Sequence, residues 1–164
     1  MSTGVSKAVN VDIIQCFAAA TVNTFEQMCS VKLETRKPYI KKVGSSVWGV
    51  SGVMGITGDV SGVVVLTLPE KTALGSVNAF VGEAFTKVDA NVIDGVKELT
   101  NIIVGTAKSR LGERGHEYNF SLPKVVIGHN YITNQGEESN VIVIPFACKF
   151  GEFILDISIK PNRA

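Results

Sequence analysis

Apolar positions along the chain change period several times, and those changes divide it into elements. Between residues 11 and 30, Ile13, Ile14, Phe17, Thr21, Thr24 and Met28 recur at three- and four-residue steps, as on one helical face. Asn10 or Asp12 is placed to cap its start. From Val31 to Leu68, β-branched residues punctuated by glycine take over. They fall in Val47-Trp48-Gly49-Val50, Val53-Met54-Gly55-Ile56 and Val63-Val64-Val65-Leu66, with Gly58-Asp59 reading as a hairpin turn. Pro69-Glu70 opens a second helix that runs to Phe85, proline being tolerated in the first turn. A third helix begins around Thr86 and Asp89 and continues to Leu111, where Gly112 and Gly115 stop it. Lys108 and Arg110 in its last turn suit the negative end of the helix dipole. After a polar loop, strand patterning returns at 122–127, 141–144 and 153–157, the last two flanking a turn at Lys149-Phe150-Gly151-Glu152.

The order helix, strands, helix, helix, strands nearly repeats itself, with one long helix ahead of a block of strands in each half. A half-length unit is too long for a solenoid repeat. The pattern predicts an α+β fold in which pseudo-duplicated α-β halves form one antiparallel sheet with helices packed on a face. At 164 residues the chain is expected to be a single domain spanning residues 1–164. The glycines between 44 and 62 do not form a phosphate loop, since no Gly-Lys-Ser/Thr ends the run and no helical period follows directly.

Composition narrows the function classes. Hydrophobic residues make up 45% of the chain and charged ones 19%, which suits a packed core and argues against disorder. Sixteen Lys+Arg against fifteen Asp+Glu leave +1, so no broad basic field exists to gather nucleic acid or anionic lipid. Arg36-Lys37 with Lys41-Lys42 is interrupted by Pro38-Tyr39 and reads as a solvated loop. No stretch reaches the roughly 20 apolar residues that span a bilayer, and the first residues lack a signal-peptide core, so the expected address is cytoplasmic. Cys16, Cys29 and Cys148 are odd in number, widely spaced and set in apolar segments, the pattern of buried thiols. With His116 and His129 far from them, no metal-ligand cluster is visible. Trp48 reads as core or sheet packing, because no basic stripe accompanies it.

The third helix is the unusual one. At about 100° per residue, Val92, Val96, Leu99, Ile103 and Ala107 gather into one narrow arc, the expected buried stripe. Asp94, Glu98, Asn101 and Gly105 gather on the opposite arc, so that a carboxylate and a carboxamide stand side by side facing solvent. Glycine inside a helix costs roughly 0.8–1 kcal/mol against alanine. Gly105 therefore marks either a partner's close approach or a position where propensity never mattered. From its chemistry alone, the exposed Glu/Asn pair is also what ordinary solvated helix surface looks like.

The segment Asp94-Gly95-Val96-Lys97-Glu98-Leu99-Thr100-Asn101-Ile102-Ile103-Val104-Gly105 resembles the signature of the CheC/CheX/FliY family of chemotaxis phosphatases. That pattern is an Asp or Ser, a Glu four residues on, an Asn three beyond it, and a proline further along. Asp94, Glu98, Asn101 and Pro123 match it. The stretch from Phe17 to Met28 is similar to the family's opening helix, and the stretch from Gly58 to Leu66 to its central strands. The similarity extends over nearly the whole chain and is strongest to the CheX branch. Two-site relatives carry Glu-x-x-Asn on both long helices; here Ala20 stands three residues before Asn23, which argues for one active site per chain.

The resemblance implies hydrolysis of the phosphoryl-aspartate of a CheY-type response-regulator receiver domain. Asn101 would position the attacking water and Glu98 would anchor the receiver's active-site lysine. Asp94 would either touch the receiver or merely favour the N-terminal half of its helix, and Gly105 would lie in the partner-binding face. The chain itself would bind no cofactor, the Mg²⁺ being supplied by the receiver, and it would form a homodimer. The alternative is a non-catalytic receiver-binding or scaffold module that uses the same helix surface only for docking.

Overall fold

The computed structural model describes residues 6–41, 48–129 and 140–161. Helix α1 spans Lys7–Cys29, and two short strands follow, β1 (Glu34–Thr35) and β2 (Tyr39–Lys41). The hairpin β3 (Trp48–Gly58) and β4 (Val60–Leu68) leads into helices α2 (Glu70–Val81) and α3 (Ala90–Glu113). Strands β5 (Tyr118–Phe120), β6 (Lys124–His129), β7 (Asn140–Cys148) and β8 (Gly151–Pro161) complete the chain.

All eight strands join one antiparallel sheet in the order β1-β7-β8-β4-β3-β5, with β2 also on β7 and β6 also on β3. The duplication expected from the sequence is present: a long helix, two short strands and a long hairpin occur in each half. The halves interlock. β1 and β2 of the first half pair with β7 of the second, while β5 and β6 of the second pair with β3 of the first. β4 and β8 meet at the centre along eight paired positions, from Val60↔Pro161 to Thr67↔Ile154. Neither half could close its sheet without the other.

One face of the sheet carries Val50, Met54, Ile56, Val64, Leu66, Leu68, Leu155, Ile157, Ile142 and Ile144, all part of the main core with the buried sides of the helices. Phe153 stacks between Phe25 of α1 and Phe146 of β7, at centroid distances of 4.8 and 5.1 Å, and ties α1 to the sheet.

Several boundaries differ from the sequence expectation. Ser6, not Asn10 or Asp12, caps α1, its hydroxyl accepting from the Val9 N–H at 3.2 Å. On α1, Ile13, Phe17, Thr21 and Thr24 are buried, but Ile14 is half-buried and Met28 exposed. Helix α2 stops at Val81 rather than Phe85, because Gly82 takes a left-handed conformation (φ 71°). The Asn78 carboxamide then donates to the Phe85 carbonyl at 3.0 Å and accepts from its N–H at 2.8 Å, which holds the apolar segment without helix. Helix α3 continues through Gly112 to Glu113 instead of ending at Leu111. β5 was expected to be loop. Trp48 is 57% exposed, so it is not a core residue. Val47 and Lys42 lie outside the described residues.

Candidate functional site

Asp89 starts α3 by accepting from the N–H groups of Asn91 (3.0 Å) and Val92 (3.3 Å). The expected stripe of Val92, Val96, Leu99, Ile103 and Ala107 is completely buried. Two close approaches fix how the helix lies on its neighbours. A β-carbon at Gly52 of β3 would collide with the Thr100 side chain, whose hydroxyl donates back to the Val96 carbonyl at 2.7 Å. A β-carbon at Gly95 would collide with Val77 of α2. Thr100 is thus seated on β3, and the next residue, Asn101, turned about 100° around the helix, is exposed.

Asp94, Glu98, Asn101 and Gly105 are all exposed, on the one face opposite the buried stripe. The Glu98 carboxylate and Asn101 carboxamide, one helical turn apart, make no side-chain hydrogen bond or ion pair among the described residues. Nothing lies within 4 Å of where a β-carbon on Gly105 would be, so the fold itself does not demand glycine there. Pro123 immediately precedes β6, the strand alongside β3. Such a face leaves both functional groups able to enter a cleft on another molecule. Among the described residues, no group of three or more His, Cys, Asp or Glu side chains is placed to hold a metal ion.

On α1, Ala20 is completely buried and Asn23 half-buried, so that pair does not stand on an exposed face. The carboxylate and carboxamide that α1 does bring toward solvent at the same spacing are Asp12 and Gln15, and both are occupied. Arg114 Nη1 donates to Asp12 Oδ1 at 2.9 Å and to Gln15 Oε1 at 2.7 Å. His116 Nε2 lies 2.8 Å from Asp12 Oδ2, and its ring stacks on Tyr118. The hydrogen bond from His116 and then that from Arg114 hold the Asp12 carboxyl below the usual carboxylate range. Burial, helped by the charges of Asp59 and Asp12, pushes the Tyr118 phenol up to about 12. No local motif marks this cluster, since its members meet only through the packing of α1 against the end of α3.

Burial raises the Cys16 thiol and pushes Cys29 up to about 12, the neighbouring Cys148 adding to the latter; all three cysteines are free. No helix among the described residues is long and apolar enough to cross a membrane.

The α+β fold, one antiparallel sheet with helices on a face, is that of CheC-like proteins of known structure. A CheC-like superfamily protein from Shewanella sp. PV-4 superposes with a TM-score of 0.82 at 32% identity, over 91% of this chain and 97% of that one. The chemotaxis protein CheX from Vibrio vulnificus matches at 31% identity and a TM-score of 0.81, over 90% and 98%. The CheX of the CheX–CheY–BeF₃–Mg²⁺ complex from Borrelia burgdorferi matches at 27% identity and 0.72, over 92% and 97%. No curated protein sequence matches significantly. The family model described as chemotaxis phosphatase CheX matches residues 50–147, from the start of β3 almost to the end of β7. The chain belongs to the CheX family of chemotaxis phosphatases.

Proposed function

We propose that the protein hydrolyses the phosphoryl-aspartate of a CheY-type receiver domain, with Asn101 and Glu98 as the working residues. The observation that carries this is the exposed, unengaged Glu98/Asn101 pair on α3 of a CheX-family chain. An acyl phosphate needs little covalent assistance, so positioning a water in line with the scissile bond is the main task. The Asn101 carboxamide can accept a hydrogen bond from that water through its oxygen, or donate to it through its nitrogen, without changing charge. The water oxygen bonds to phosphorus, the phosphorus–carboxylate oxygen bond breaks, and the products are inorganic phosphate and the receiver's free aspartate. Glu98, one turn earlier, pairs with the receiver's lysine and sets the register of Asn101 against the phosphorus. Mg²⁺ carried by the receiver spreads the charge that builds on the phosphoryl oxygens; BeF₃ and Mg²⁺ accompany the Borrelia burgdorferi CheX–CheY complex. Asp94 and Gly105 extend the same contact face, and the working form is a homodimer, which light scattering would check.

The test is phosphate release from Mg²⁺-bound phosphorylated receivers, with wild type compared to Asn101→Ala and Glu98→Ala. Removing one positioning group typically costs about 10²–10³ in rate. Asn101→Ala is expected to bind the receiver but hardly hydrolyse it, and Glu98→Ala to lose binding as well. Near-normal turnover by either variant overturns its assignment. Binding without acceleration by wild type would identify a docking module instead.

A further inference from the structure

Strand β6 pairs with β3, on which α3 is seated, and its register shows which of its side chains lie on the helix side of the sheet. Ile127 pairs with Val50, whose side chain lies in the core under the helices, so Ile127 is on the helix side of the sheet. Trp48, two residues before Val50 on β3, is on that side too. Both are large, apolar and over half exposed, at 51% and 57%. Val126 is equally exposed at 52%, but it pairs with Ser51 and faces the opposite side.

Val125 marks the level. It pairs with Gly52, the residue against which Thr100 of α3 is seated. Ile127 is two residues along and one strand over, which standard strand spacings place about 8 Å from Gly52 within the sheet. A stable docking footprint of about 800 Å² per partner has a radius of about 16 Å. By the same spacings Trp48, four residues from Gly52 on β3, is about 13 Å away, so a partner footprint of that radius centred on α3 at this level reaches the strand ends that carry Ile127 and Trp48.

We propose that Trp48 and Ile127 form the apolar half of the receiver-docking surface, alongside the polar half that α3 supplies. This rests on the function proposed above. Glu98 and Asn101 are polar and suit chemistry and register; the two apolar side chains contribute affinity by leaving water when the partner docks. A second copy of this chain pairing along the outer edge of β6 is the competing occupant. It would engage both faces of the strand, so Val126 and Ile127 would matter alike.

The experiment compares wild type, Trp48→Ser, Ile127→Asp and Val126→Asp in steady-state phosphate release. The same four proteins are titrated with beryllofluoride-activated receiver, which reads docking without hydrolysis, and their masses are measured by light scattering. Trp48→Ser and Ile127→Asp are expected to raise KM and the receiver Kd at least about tenfold, with kcat within about twofold. Val126→Asp should leave KM, Kd and mass as in wild type. Unchanged Kd in a folded Ile127→Asp variant overturns the proposal. So does an equal loss in Val126→Asp, or a lower mass in either β6 variant, which would assign the edge to a second copy. If wild type binds the receiver without hydrolysing it, the catalytic reading fails while the Kd series still decides the docking surface. If wild type does not bind, both fall.

Discussion

Gly105→Ala separates the demands of the fold from those of a partner. The residue lies inside α3, eight residues before its end, is exposed, and has no atom within 4 Å of the added methyl. The substitution therefore introduces no clash and recovers the helix-propensity difference of about 0.8–1 kcal/mol. For a domain of this size that corresponds to a rise in Tm of about 2–4 °C. If the receiver's surface comes close to the bare helix at Gly105, the methyl obstructs it, and KM rises while kcat at saturation is kept. Thermal unfolding and a receiver titration on the same preparation read both quantities. A more stable variant with unchanged receiver affinity would remove Gly105 from the docking face. No gain in stability would refute the local reasoning itself, since it would mean that the methyl meets something or that the helix is not regular there.

Other perturbations follow from the packing and the pKa directions. Gly52→Val drives two methyls into Thr100 and is expected to destabilise by about 1–3 kcal/mol. It should also cut phosphate release, because Asn101 follows the displaced residue; wild-type unfolding and turnover would show that α3 is not seated on β3 as described. Asp12 has its pKa lowered in the fold, so its contribution to stability is present above the unfolded carboxylate value of about 3.9 and is lost as pH falls through the lower folded value. Asp12→Asn should therefore lower the urea midpoint at pH 7 and narrow its deficit against wild type at pH 3; a deficit independent of pH would contradict the His116 and Arg114 pairing. Iodoacetamide at pH 8 should alkylate half-exposed Cys148 first and spare Cys16 and Cys29, whose burial keeps them as thiols. Mass mapping that finds Cys29 modified as fast as Cys148 would refute this.

What the sequence made legible was local. The stripe of α3 could be placed because its apolar residues keep a helical period and Asp89 supplies a side-chain cap, and the same period put Asp94, Glu98, Asn101 and Gly105 outside. The β3–β4 hairpin followed from Gly58-Asp59 between β-branched runs. What was not legible depended on distant partners. Tyr118-Asn119-Phe120 is too short to show a strand period and becomes β5 only by pairing with Ile56-Thr57-Gly58. Helix α2 ends early because Gly82 turns left-handed, and a side-chain bridge from Asn78 to Phe85 then holds the apolar residues beyond it without helix. Trp48 sits near the end of β3, beside an outer strand and not under a helix, and one sequence cannot show how much of a strand's neighbour covers it.

The duplication sharpens the question of how many working faces the chain has. Ala20 in place of a carboxylate suggested one, but Ala20 is buried and so bears on packing rather than on chemistry. Asp12 and Gln15 repeat on α1 the carboxylate–carboxamide spacing of Glu98 and Asn101. Arg114 binds both side chains and His116 takes the second carboxylate oxygen, so a partner lysine would have to displace a guanidinium already in place. Breaking charge-assisted hydrogen bonds to dock another cation returns little net free energy. On α3 the equivalent groups have no such competitor among the described residues. Two helices of one duplicated fold thus put similar groups to different uses: on α1 they tie the helix to the end of α3, and on α3 they stay open to solvent.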